Sequence, residues 1–528
     1  TAPIPGDNYT KLFLCRSNLI QPICDYARLS GNVKEFYVSP KGNDLSDGSD
    51  RAPLKTIGEA KKRISRINKD MRENLAGGDY ELSSPIEFTS DDSATNGYHI
   101  IYKAKDYNNK PVLTGGKKLN GWEYLGDNRW KIENVGVSDV RQLYVDGKRW
   151  KRAKSDFMTG ISDYRIAGEG LSGINIDNNI VDPNEASDAE VVWNIEWMQH
   201  RYPVSRIEKT NTGTKIVFEQ PYADNITNNI DDQNNVPSYS KAFYIENAKE
   251  LMDAEGEWYY DKEHQTIYCY SEHDLSNAIG EIPVTEKLMS INGSALDDKV
   301  TGLVFDGIDF QYGGWTEPNR IGYGSFQANV MIDTVNGDGK RMSDSQITVS
   351  MAKDLIFQNN RFMHLGSNAI AFDNSVEESD ILYNRFYDIS GSAIVIGSVN
   401  VINNSKDHEI CKKIRIRQNY IEKAGAEYEC SPGITVYYAS RIDIINNTLK
   451  NLPYSGISYG FDMGAHATWC RDSRIMRNKI LDSMKVLDDG APIYTAGTLL
   501  NTDIAYNYLS GSGHFRGGIY SDHGSMYG

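Results

Sequence analysis

The chain has 528 residues, 39% of them hydrophobic and 24% charged, with a formal net charge of −16. Such a length exceeds one ordinary core and predicts several lobes or one elongated repeat array. The acidic balance has no basic stretch set against it, which argues against nucleic-acid and anionic-membrane partners, and no apolar run approaches the ~20 residues that cross a bilayer.

In chain order, residues 1–34 have no clear period and read as an N-terminal arm. The arm opens at Thr1 without a visible signal peptide, as a mature or trimmed form of a secreted, cell-surface or periplasmic protein does. Residues 35–40 predict a strand, and an Asp-rich, turn-rich loop follows to Asp50. The loop's spacing misses an EF-hand, so a solvated turn is favoured over a Ca²⁺ site. Ile57, Ala60, Ile64 and Ile67 fall at helical spacing and predict a capping helix over 56–68. Strands at 98–102 and 111–114 complete an N-terminal cap and first coils over 35–115.

From 116 to 285 the chain gains Trp and Tyr and loses any period. Hairpins are expected at 142–149, around Asp146-Gly147, and at 256–270, so this stretch reads as an inserted β-rich lobe. The six cysteines show no CxxC spacing and no metal-like pairing with His. Cys15–Cys24 and Cys411–Cys430 are either disulfides or buried thiols.

The stretch 286–528 is organised by a repeat. Asn360, Asn384, Asn419, Asn447, Asn478 and Asn507 each precede an "x-F/I/L" step, at intervals of 24, 35, 28, 31 and 29 residues. Strand-like alternation with abundant Gly, Asn and Asp excludes helical repeats, and the Leu pattern of leucine-rich repeats is missing. The expected fold is all-β, a right-handed parallel β-helix in which the repeated Asn is a turn residue bonded to backbone and to its counterparts.

A second row lies in the same coils. Ile370, Ile394, Ile434, Ile457, Ile493 and Ile519 are inward positions, and their neighbours at odd offsets face out. That outward face turns from small to aromatic and acidic toward the C-terminus, with Tyr437, Tyr459, Tyr494 and Tyr520 on or near it and Asp489 and Asp522 beside it. Aromatic rings stack on pyranose C–H faces, and isolated carboxylates supply acid, base or nucleophile for breaking an acetal.

The segments Tyr454 to Gly460, Leu487 to Thr495 and Gly518 to Asp522 resemble the β-helix glycosidases of glycoside hydrolase family 141 and relatives. Tyr37 to Asp44 is similar to their opening, and Gln142 to Gly147 to the entry of their inserted lobe. Pro492 and Phe461 depart from the pattern, standing where Gly or Ala and Trp are expected. The resemblance covers most of the chain from about residue 35. It implies hydrolysis of fucosides or xylan-type linkages by an acidic pair without an organic cofactor; from the residues no metal-ligand set is read, and Ca²⁺ is the weaker alternative to no cofactor.

Asp489 and Asp522 are the first choice for that pair. On a straight strand their offsets from Ile493 and Ile519 would part them by roughly 20 Å, whereas a hydrolytic pair needs roughly 5 to 9.5 Å, so the turn before Ile493 must curl back. Glu427, Glu429 and Asp488 fall at similar offsets and are secondary acid or base candidates. Asp462 and His514, with the four tyrosines, are candidate substrate contacts. A polysaccharide lyase, with a Lys or Arg base and usually Ca²⁺, and a non-catalytic glycan-binding β-helix are the alternatives on the same scaffold. The strand just before Gly528 has no cap, which predicts a further chain or segment completing the C-terminal coils.

Overall fold

In a computed structural model the described residues are 33–64, 70–167, 170–177, 180–181, 188–230, 233–337, 339–399, 406–461, 464, 468–513 and 516–527. The arm expected at 1–34 lies almost wholly outside them. Three long sheets of parallel strands wind about one core, forming a parallel β-helix. Each coil passes through an entry sheet, an exit sheet and a groove sheet, as in Ile356–Gln358, Arg361–Leu365 and Asn368–Phe372. No helix among the described residues is long and apolar enough to cross a membrane.

Alternation decides the core. In the groove sheet, Ile347, Ile370, Ile394, Ile434, Ile457, Ile493 and Ile519 align one above the next in the strand register. The exit sheet stacks Phe310, Phe362 and Phe386 with centroids 5.0 and 4.6 Å apart. From residue 359 onward the turn between entry and exit strands is a residue pair. Asn359, Tyr383, Gln418, Asn446, Arg477 and Tyr506 take left-handed φ of 54 to 60°, and the next residue is the repeated Asn. Asn447 is representative: its Nδ2 donates to the Ile416 carbonyl and to Oδ1 of Asn478, while its own Oδ1 accepts from the backbone and side-chain amides of Asn419. Every buried turn amide thereby finds a partner.

At the N-terminal end, Lys34–Val38 pairs in parallel with Met71–Leu75. The helix is shorter than its spacing suggests, Ile57–Lys62, with Thr56 as its cap; 65–69 lie outside the described residues. In the Asp-rich loop, the Asp44 carboxylate accepts from the Lys55 and Thr56 amides and the Thr56 hydroxyl.

After Thr114 the chain leaves the stack and builds an eight-stranded sheet and six strands of a nine-stranded one before rejoining it at Met289–Asn292. Asp146 and Gly147 both take positive φ between Leu143–Val145 and Lys148–Arg152, as a two-residue hairpin turn requires. A later excursion has no counterpart in the sequence reading. Tyr323–Gln327, Val330–Ile332 and Lys340–Met342 join the lobe through Met198–Thr210 and lie over the groove sheet, where Val330 packs with Ala371, Val395 and Tyr437.

A buried charge network fastens lobe to helix. Glu190 accepts from Arg141, Arg152 and Arg201 at 3.1, 2.8 and 2.6 Å, Arg141 reaches Glu427 at 2.5 Å, and Arg149 reaches Asp388 at 2.7 Å. Cys269, Cys411, Cys430 and Cys470 are buried free thiols, so Cys411 and Cys430 form no bridge, while Cys15 and Cys24 lie outside the described residues.

Candidate active site

The turns from exit to groove sheet vary in length, and those at 482–492 and 511–518 carry the acidic end of the groove. Asp489 sits in the first with a left-handed φ of 47°, which turns the chain sharply before Ile493. The Tyr454 hydroxyl holds its carbonyl at 3.1 Å, and the Asp488 amide donates to the Glu196 carbonyl of the lobe at 2.9 Å. The loop is therefore no extension of its strand. It is held by the preceding coil on one side and by the lobe on the other.

Asp522 follows the last groove strand, Ile519–Ser521. Its Oδ2 accepts from the Tyr494 hydroxyl at 2.6 Å, and its Oδ1 accepts from the Tyr520 hydroxyl at 3.3 Å and the His523 amide at 2.8 Å. Gln327, from the strand lying over the groove, donates to the Tyr494 oxygen at 2.9 Å. Tyr494 is buried, and its ring meets Tyr520 edge-on at 5.6 Å.

The two carboxyls share one electrostatic environment. Burial pushes the half-buried Asp489 carboxyl above the ordinary Asp value; Arg516, with Nε 3.1 Å from Oδ1, opposes this, and the charges of Asp522 and Asp488 reinforce it. Burial and the Asp522 charge push the Tyr520 phenol up to about 12. Burial, Tyr454 and Asp522 raise the Tyr494 phenol further, so both remain hydrogen-bond donors at neutral pH.

The other sequence candidates scatter. Tyr437 faces outward but is buried under Val330 and Phe461. Tyr459, expected near the outward face, points into the core, where its hydroxyl bonds Ser473 and the Ala439 carbonyl; it lies at an even offset from inward Ile457. Glu427 belongs to the lobe fastening: it accepts from Arg141, Gln142 and Ser390, and although burial alone would raise it, the guanidinium groups of Arg141, Arg201 and Arg149 hold its carboxyl below the ordinary range. Glu429 accepts from Asn194 and Gln199 of the lobe. Asp488 is exposed beside Asp489. Asp462 and His514 lie outside the described residues. Gln327 and Tyr454 entered the site without being singled out, since both act across long sequence separations. Among the described residues no group of three or more His, Cys, Asp or Glu is placed to hold a metal.

The model of the GH141 insertion domain matches residues 130–272. A solved glycoside hydrolase is similar over 94% of this chain and 96% of its own, with 24% identity and a TM-score of 0.78. The complex of XylC with xylose covers 89% of this chain and 70% of its own at 13% identity and TM-score 0.46. The GH136 lacto-N-biosidase from Eubacterium ramulus covers 94% and 68% at 10% identity and TM-score 0.37. No curated protein sequence matches the chain. The β-helix fold and the insertion domain set into it bear out the resemblance to glycoside hydrolase family 141.

Proposed function

We propose that the protein hydrolyses glycosidic bonds of a complex glycan or plant-type polysaccharide, fucoside or xylan-like, in the groove that carries Asp489 and Asp522. The observation that carries this reading is the unequal pair. Asp489 is half-buried with its carboxyl raised, which suits a general acid, while three donors fix the Asp522 carboxylate in one orientation. Asp489 gives its proton to the glycosidic oxygen as the bond to the anomeric carbon breaks. Asp522 either attacks that carbon or takes a proton from the attacking water. Asp489, then ionised, deprotonates water to hydrolyse the glycosyl ester in the first case and is reprotonated from solvent in the second. No organic cofactor enters either route. A polymeric substrate suits an enzyme outside the cytoplasm, whether secreted, at the cell surface or in the periplasm.

Arg516, a cation beside the pair among the described residues, is engaged by Asp489, which weighs against its serving as the base of a lyase. The test is reducing-sugar release from a mixed glycan panel by wild type, Asp489→Asn and Asp522→Asn. Release abolished in both variants, with melting temperature unchanged, supports the pair. Ultraviolet-absorbing unsaturated products would make it a lyase, and binding without release would leave a glycan-binding β-helix.

A further inference from the structure

The outward face of the groove sheet carries a second hollow, on the opposite side of the 323–342 excursion from Asp489 and Asp522. Its floor follows from alternation. In Met289–Asn292 and Ser345–Ser350, Met289, Ile291, Ile347 and Val349 face the core, which turns Ser290, Asn292, Thr348 and Ser350 outward. Further along the stack the outward positions are Val395 and Tyr437. Short side chains fill little space above the sheet, and here they leave a dip of about 500 Å³ walled by Met342, the last residue of the excursion, and by Ser343. That volume is within the range of small-ligand sites.

Lys287, Asp344 and Asp373 stand around the dip. No hydrogen bond or ion pair from a described residue engages either carboxylate. Burial pushes Asp373 up to about 6 and raises Asp344, and Lys287 opposes both shifts. Two carboxylates repel an anion. A cation would find the Lys287 ammonium beside the two lining carboxylates, and among the described residues no group of three or more acids, His or Cys is placed to hold one; Glu286 and Glu317, which also act on Asp344, are engaged by Thr316 and Arg341. An apolar ligand would strand the serines, threonine and amides unpaired. What suits the set is a neutral molecule that donates hydroxyl hydrogens to Asp344 and Asp373 and accepts from Lys287, with the Ser and Thr hydroxyls able to do either.

We propose that this hollow is a second sugar-binding site, taking a neutral pyranose unit through its hydroxyl groups. Asp373 belongs to the coil of Ile370 and Asp489 to that of Ile493, four strand spacings or roughly 19 Å along the stack. The site thus binds glycan away from the reacting bond. It does not depend on hydrolysis at Asp489.

The full chain carrying both Asp489→Asn and Asp522→Asn is titrated calorimetrically with xylose, L-fucose, galactose, glucose and their oligosaccharides. Saturable binding is expected to remain, to weaken at least tenfold on adding Asp373→Asn or Lys287→Met, and to vanish with Thr348→Trp, which fills the floor. Melting temperatures report whether each variant is folded. In the otherwise wild-type chain, Thr348→Trp is expected to leave turnover of a small aryl glycoside unchanged, which separates this site from the reaction site. Absence of saturable binding in the Asn-substituted chain, or binding that survives Thr348→Trp, overturns the proposal. So does Ca²⁺ binding that Asp373→Asn removes while sugar binding is unaffected.

Discussion

The Tyr494 hydroxyl donates to Oδ2 of Asp522 across adjacent coils at 2.6 Å, while accepting from Gln327 at 2.9 Å. A side chain of the structure lying over the groove thereby orients a carboxylate on the last groove strand. A hydrogen bond to a charged group contributes about 1.5–3 kcal/mol. Tyr494→Phe is expected to lower kcat roughly 10- to 100-fold with melting temperature little changed, and Gln327→Leu to lower it less. A wild-type kcat in Tyr494→Phe would remove Asp522 from the mechanism.

The pH profile tests the role of Asp489. A general acid works protonated, so kcat/KM falls on the alkaline side as Asp489 ionises. Arg516 lowers this carboxyl's pKa and Asp488 raises it. Arg516→Met should therefore move the alkaline limb to higher pH and Asp488→Asn to lower pH. Shifts of opposite sign are the signature to look for. An acidic limb moving instead would assign Asp489 the role of base.

Glu73 makes a prediction about stability alone. It faces inward between Phe36 and Tyr102 in the strand register, with neither carboxylate oxygen hydrogen-bonded, and burial raises its pKa well above the ordinary Glu value. The folded chain thus keeps a proton that the unfolded chain releases near pH ~4.3. Above that pH, up to the folded pKa, stability is lost at up to about 1.4 kcal/mol per pH unit. Glu73→Met is expected to be more stable than wild type at pH 8 and to show a flatter dependence between pH 5 and 8 in chemical denaturation.

The amide ladder predicts a gradient. Asn447→Ala leaves the buried Ile416 carbonyl and Asn419 amides of the preceding coil unpaired and removes one of two donors to Oδ1 of Asn478 in the next, and should cost about 2–4 kcal/mol. Asn507, less buried at the end of the ladder, bonds Asn478 and the Ile475 carbonyl alone, and Asn507→Ala should cost about half as much. Equal losses in thermal unfolding would contradict this account.

Much of the stack was legible because its signals are local. The inward Ile row and the ladder Asn each repeat within one coil, and the register aligns them as the spacing suggests. The strand period also carried the correct placement of Tyr459, which an even offset from Ile457 puts in the core. What escaped depends on distant partners. Glu427 sits at a catalytic-like offset, yet Arg141 claims it from 286 residues away. The excursion covering Tyr437 pairs with a strand of the inserted lobe, and no local pattern announces that pairing.

The turns of the coil divide labour between their corners. The entry-to-exit corner is a fixed pair, from 359–360 through 506–507, set by a left-handed residue and an amide. The exit-to-groove corner runs from 366–367 in one coil to 482–492 in another without disturbing the alignment of Ile370 with Ile493. Loops there can lengthen, shorten or exchange their acids while the scaffold keeps its pitch. New specificities can arise on this architecture by rewriting one edge, one coil at a time, leaving the stability of the stack to the opposite edge.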